Sequence, residues 1–188
     1  MKFVKSIVVV VCILCAGAAY AERREADYFA RPQIGLWFGP VTPVFDTNQV
    51  LDTNLGGGLF FRYNTPYRPL KMGIDGSYQY FPSKGVNSLA MWPVYGSLLY
   101  RIPIKFALML QLKAGAGGSH MEMKPDGISQ WEPMFTLGFE GSFPAGRIIN
   151  IGFRIDYIYV YEGYIKGAQR GGHIVNTGIT LFFNVGGK

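Results

Sequence analysis

Four consecutive residues, Ser119-His120-Met121-Glu122, carry the side chains of nucleophilic acyl transfer: a hydroxyl, an imidazole and a carboxylate. A serine attacks only when a base takes its proton and a further group orients that base. Spacing decides whether the three can meet. On an extended chain successive side chains point to opposite faces, so Ser119 is turned away from His120, whereas His120 and Glu122 share a face. The run therefore offers a base and an acid without their nucleophile, and the bland expectation is a solvated histidine in or beside a loop. His173 is the only other histidine, and two are too few for a zinc site. No metal and no cofactor are expected.

A second set of groups is more numerous. Arg62, Lys71, Asp75, Arg101, Lys105, Lys113, Glu132, Glu140, Arg154 and Asp156 all fall on the polar face of segments whose other face is apolar. Six are basic and four acidic, so most can pair. Charges of both signs enclosed together form either a salt-bridge plug or the lining of a polar path or gate. Arg154 and Asp156, two apart on one strand face, are expected to share such a network with Lys71 or Asp75 across the barrel.

The elements that position these groups read as strands. Ile149, Ile151, Phe153, Ile155, Tyr157, Tyr159 and Tyr161 form one face of a period-two segment. Asn150, Gly152, Arg154, Asp156, Ile158 and Val160 form the other. The apolar face runs from aliphatic to tyrosine. That gradation suits a bilayer, whose core takes aliphatic side chains and whose headgroups take amphipathic rings. Alternation predicts eight strands, at about 33–44, 54–64, 70–81, 90–102, 104–118, 131–143, 148–161 and 174–185. Most match the ~9–11 tilted residues that cross a bilayer. The first is the weakest, interrupted by Pro40 and Pro43. Phe60, Tyr95, Met109 and Phe182 are expected to point inward with the charges.

Connections after the second, fourth and sixth strands read as tight, at 65–69, Ile102-Pro103 and 144–147. The others, about 45–53, 82–89, 119–130 and 162–173, read as longer loops. This places Tyr78, Tyr80, Trp92, Trp131, Tyr157 and Tyr159 at one rim and Tyr63, Tyr100, Phe143 and Phe183 at the other, as two aromatic girdles. The fold expected is all-β: an eight-stranded antiparallel up-and-down transmembrane β-barrel over 33–188. The rival, a soluble barrel, would carry apolar residues inside and charge outside.

Residues 1–21 read as a cleaved signal peptide, with Lys2 and Lys5, an apolar run from Ile7 to Ala19, and the small-x-small site Ala19-Tyr20-Ala21. Cys12 and Cys15 follow Val11 and Leu14, where lipid attachment needs a small residue. Both cysteines leave with the signal, so no disulfide is available. Residues 22–32 are then a short periplasmic segment. Without Lys2 and Lys5, 16 basic residues face 12 acidic ones, a net of +4. No basic cluster tracks a nucleic-acid backbone. Charged residues are 16%, well below the ~25% of soluble domains.

The segment Asn176-Thr177-Gly178-Ile179-Thr180-Leu181-Phe182-Phe183 resembles the assembly signal of outer-membrane barrels. The chain runs on past it as Asn184-Val185-Gly186-Gly187-Lys188, where such chains commonly stop on the aromatic. Over its mature length the sequence is similar to the small eight-stranded barrels of the OmpW, OmpA transmembrane-domain and OmpX groups, with Gly35 to Pro43 resembling the OmpW first strand. The resemblance implies a non-enzymatic outer-membrane protein with both termini periplasmic, structural or surface-binding, with narrow passage of small or hydrophobic solutes. It implies as partners outer-membrane lipid and lipopolysaccharide, and the barrel-assembly machinery during biogenesis. An outer-leaflet lipid-modifying enzyme and a subunit of a larger envelope assembly, with an envelope protein partner, are the alternatives. The purified chain should need detergent and should migrate differently on gels before and after boiling; solubility without detergent contradicts the membrane barrel.

Overall fold

Because a strand's two faces differ, one register slip would turn every charge outward, so the pairing is strongly specified. The computed structural model describes residues 32–67, 69–104, 108–125, 127–145, 148–162 and 170–185. The expected signal peptide lies outside them, as does the segment 22–32 apart from Pro32. The strands are β1 (Gln33–Pro43), β2 (Asn54–Asn64), β3 (Leu70–Phe81), β4 (Ser88–Arg101), β5 (Met109–Lys124), β6 (Ile128–Pro144), β7 (Ile149–Glu162) and β8 (Arg170–Asn184), with a short 3-10 turn at Phe45–Gln49. Each pairs antiparallel with the next, and β1 pairs with β8 to close the barrel.

Closure carries a stagger. The paired residues Gln33, Arg62, Gly73, Ser97, Gly115, Thr136, Ile158 and Ile174 lead once around the barrel and back to β1 at Pro43. That return is ten residues from the start. With ~3.3 Å per residue and ~4.8 Å between strands, this stagger sets a strand tilt of roughly 40°.

Apolar residues face out. Ile34, Leu36, Leu59, Ile74, Leu98, Leu137, Ile155 and Ile179 are all exposed, while Arg62, Lys71, Asp75, Lys113, Glu140, Arg154 and Asp156 are buried inside. A soluble barrel has the opposite distribution. The girdle residues lie on the outward face: Tyr63, Tyr78, Tyr100, Trp131 and Phe183 are exposed and Tyr80, Trp92, Phe143, Tyr157 and Tyr159 half-buried. Tyr100 and Trp92 are eight residues apart on β4. At the tilt above they differ in height by about 20 Å, close to the ~25 Å apolar band of such barrels.

Several boundaries correct the sequence reading. Most of the loop expected at 119–130 is a continuation of β5, which ends at Lys124, and of β6, which starts at Ile128. Its residues kept alternating, with Ser119 and Met121 buried and Lys124 exposed, but their polarity masked the period. Gly127 adopts φ +66° between the two strands, a conformation suited to glycine. β8 begins at Arg170 rather than 174, so His120 and His173 both sit on strands. The connection expected to be tight at Ile102-Pro103 is longer, because β4 ends at Arg101 and β5 starts at Met109 and not at 104. Loops on the two rims therefore do not divide cleanly into long and short. Pro40 and Pro43 do not interrupt β1. Pro40 pairs with Leu55 of β2 while its β8 ladder is broken, between the Phe38–Ile179 and Val41–Asn176 pairs; its missing N–H falls on the β8 side.

Leu137 lies on β6 six residues from Trp131 and six from Phe143, midway between the girdles, and is 63% exposed. Leu137→Arg should cost about 2–4 kcal/mol for the barrel refolded in lipid vesicles, the penalty of a lipid-facing cation near the midplane. Urea unfolding against Leu137→Ala checks this; a change within ~0.5 kcal/mol, typical of a solvated surface, would place the face in water.

Candidate functional site

Six inward charges from β2, β3, β5, β6 and β7 meet across the lumen. Arg62 donates to Asp75 Oδ2 at 2.7 Å and to Glu140 Oε1 at 3.0 Å. Lys113 Nζ lies 2.7 Å from Asp156 and 3.2 Å from Glu140. Arg154 donates from Nε to Asp156 at 2.6 Å, pairs with it again through Nη2, and reaches Asp75 at 3.4 Å. The result is three cations and three anions with no net charge. β4 adds two hydroxyls: Ser97 Oγ donates to Asp75 at 3.0 Å, and Tyr95 Oη accepts from Arg154 Nη2 at 3.0 Å. Aromatic faces cover the cations, with Phe60 4.5 Å from the Arg62 guanidinium and Trp37 4.9 Å from that of Arg154. All six charged side chains are at most 4% exposed. Such a cluster holds only if each charge keeps its partners, since the desolvation cost of one left alone is several kcal/mol.

The remaining inward charges lie towards the two rims. Lys71 Nζ donates to Gln33 Oε1 at 2.8 Å, near the paired strand ends Gln33 and Asn184. Arg101 is half-buried at the same rim. Glu132 accepts from Gln130 towards the opposite rim. Lys105 lies outside the described residues. Of the two partners expected for Arg154 and Asp156, Asp75 is the one the geometry brings to Arg154, while Lys71 reaches Gln33 of β1. Phe60, Tyr95, Met109 and Phe182 are buried inside.

On the loop side of the ion cluster the interior is mostly apolar, although Gln79, Ser119, Glu132 and Asn176 are buried there too. Val41, Phe81, Leu89, Met91, Met121, Met134, Ile158, Val160 and Ile174 form one buried cluster. Leu51, from the loop after β1, joins it from above. Backbone bonds stitch that loop to the next: Asp52 N–H donates to Pro82 O at 2.8 Å and Lys84 N–H to Val50 O at 3.0 Å. Val44 N–H donates to His173 O at 2.9 Å, which carries the β1–β8 ladder one step past Pro43. Sequence reasoning missed this layer. Its signal was present in Ile158 and Val160, which follow Arg154 and Asp156 on one face of β7.

The residue types of acyl transfer are split by the barrel wall. Ser119 is buried in the lumen, whereas His120 is outside, its ring 5.5 Å from both Trp92 and Trp131. Tyr78 extends the row, 5.3 Å from Trp92. His173 is outside too, against Phe45, Tyr157 and Tyr159. Both histidines thus stand in the loop-side aromatic belt. The register that pairs Trp92 with His120 and His120 with Trp131 creates the row.

No family model matches the chain, and no curated protein matches it in sequence. Solved structures do match. Neisserial surface protein A aligns with a TM-score of 0.61 at 8% identity, over 81% of this chain and 96% of that one. The outer membrane protein OprG from Pseudomonas aeruginosa aligns with a TM-score of 0.52 at 12% identity, over 84% and 97%. The fold is that of the small eight-stranded outer-membrane barrels. At these identities the likeness is one of fold; the interior and belt just described are this chain's own.

Arg154→Met should destabilise the barrel by about 3–5 kcal/mol, because Asp156 and Asp75 lose a buried partner. Arg154→Met with Asp156→Leu should recover part of that loss by restoring charge balance. Urea unfolding of the three proteins in one detergent tests the pair; a neutral single variant would show that the cluster is not a lock.

Proposed function

We propose that this chain is an integral outer-membrane barrel, non-enzymatic, that acts as a sealed structural and surface-binding element and not as an axial conduit. The observation that carries this is the succession of two closures in one lumen: the neutral ion cluster, and above it the apolar plug capped by Leu51. An ion crossing the lumen would have to break buried pairs and pass a layer in which methionine and aliphatic side chains outnumber the polar ones. Axial passage of small solutes is the alternative, and both layers weigh against it.

A non-enzymatic role is supported by the separation of Ser119 from His120 by the barrel wall. Outer-membrane location is supported by the apolar outer face and by the fold, shared with one protein named for the surface and one for the outer membrane. The barrel's two ends share a rim, since Gln33 pairs with Asn184; we place that rim in the periplasm, where an exported chain starts. The proposed partners are the surrounding lipid and lipopolysaccharide, the assembly machinery reading β8, and, if the barrel serves a larger assembly, an envelope protein that would co-purify in mild detergent.

In a planar bilayer the inserted protein should give no unitary current steps. Steady steps altered by Lys113→Gln would overturn the sealed barrel and assign conduction to the ion cluster.

A further inference from the structure

Strand register gathers five polar side chains on neighbouring strands at the turn-side mouth of the lumen. Gln33 of β1 pairs with Asn184 of β8 on one side and with Arg62 of β2 on the other, and Asn64 of β2 pairs with Lys71 of β3. All five lie on the inward face. Gln33, Arg62, Lys71 and Asn184 are at most 9% exposed. Gln33 is the hub: its Oε1 accepts from Lys71 Nζ at 2.8 Å, and its Nε2 donates to Asn184 Oδ1 at 2.8 Å. Arg101 stands half-buried at the same rim.

Buried groups without a hydrogen-bond partner sort by chemistry along the lumen. Among the described residues three side-chain nitrogens lack an acceptor: Arg62 Nε, Asn64 Nδ2 and Asn184 Nδ2. All three belong to this arc, where Asn64 Oδ1 is unpartnered as well. Towards the loops the unpartnered atoms are oxygens, on Gln79, Ser119, Thr136 and Asn176. A buried N–H without an acceptor is costly, so the arc calls for one. The nearby carboxylates are engaged elsewhere: Asp75 and Glu140 hold Arg62 through its two Nη atoms, leaving Nε. The cluster of three cations and three anions is neutral, so it does not offset the charge of Lys71.

We propose that this mouth binds one soluble phosphate-type oxyanion, held by Lys71 Nζ, Asn184 Nδ2, Asn64 Nδ2 and Arg62 Nε. This rests on the sealed-lumen reading above, which makes the mouth a dead end, and goes further by assigning a ligand class. Charge and valence select the occupant. The donors are N–H groups beside a cation, so the ligand is an anion. A phosphate has an oxygen for each of the four, whereas a carboxylate has two. The donors stand inside the wall and a bilayer lipid keeps its chains outside it, so the anion comes from solution. Because the donors are buried, it enters by replacing Gln33 Oε1 on Lys71. That exchange turns two side chains between rotamers and leaves the strands paired.

Equilibrium dialysis of the barrel in maltoside micelles against labelled inorganic phosphate, at fixed ionic strength, should show one saturable site per chain. Lys71→Met should weaken binding about ten-fold or more, the scale of one hydrogen bond to a charged group. Asn184→Asp, which sets a carboxylate among the donors, should do the same, and it decides the matter if Lys71→Met does not fold. Acetate at equal concentration should leave phosphate bound. No saturable site overturns the proposal, as does binding that survives either substitution in a folded barrel. Displacement by phosphatidate but not by glycerol phosphate would overturn the soluble ligand in favour of a lipid headgroup. Phosphate-loaded vesicles separate this from closure of the lumen. Leakage through inserted barrels would overturn the sealed lumen, whereas retention without binding in micelles would overturn the anion site alone.

Discussion

The pairing of β1 with β8 is the constraint on which everything else rests. In hydrocarbon no water can satisfy a free backbone edge, so a sheet survives only when closed. Closing eight strands with a stagger of ten residues fixes both tilt and bore. From the bore follows the interior: a space that side chains fill, in which any charge is buried and must be paired. From the tilt follows the height of the apolar band, and with it the places where tyrosine, tryptophan and histidine stop being lipid-facing liabilities and become interfacial anchors.

Within that bore the chain uses two different solutions to the same packing problem. Near the turn side it fills space with Arg62, Lys113 and Arg154, whose charges are cancelled by Asp75, Glu140 and Asp156 and whose cationic heads lie over Phe60, Tyr95 and Trp37. Near the loop side it fills space as a soluble core does, with Met91, Met121, Met134 and Ile158. The ionic layer gives geometric specificity, since each pair joins named strands; the apolar layer gives area burial without directional demands. A polar lumen and a conducting lumen are therefore different things. Here polarity is consumed internally.

Much of this was legible in the chain. Period-two alternation on β3 and β7 marked strands and their faces, and Arg154 and Asp156 marked the interior. Three features were hidden, each for a physical reason. The β5–β6 extension was hidden because outward residues beyond the lipid can be polar at no cost, so Glu122, Lys124 and Ser129 look like loop. The apolar plug was hidden because an inward Met or Ile does not break alternation when the outward partner is apolar too, as at Tyr157-Ile158-Tyr159-Val160. The partners within the ion cluster were hidden because they depend on cross-lumen distances: Lys71 and Lys113 look alike on their strands, but only Lys113 is met by three carboxylates.

The fate of Ser119-His120-Met121-Glu122 shows how the same periodicity that builds a barrel forbids certain chemistry. A barrel wall is one residue thick, so adjacent residues on a strand address two different solvents. Ser119 faces the lumen and His120 the outer surface. No nucleophile–base pair can be assembled from neighbours on such a wall; it must come from different strands or from residues two apart. What adjacency does permit is a lateral row on one face, because registered residues on successive strands stand about 5 Å apart. Tyr78, Trp92, His120 and Trp131 form such a row. The residue that looked most like a catalyst is thereby built into the aromatic belt, where it stands among indole rings and not beside a hydroxyl.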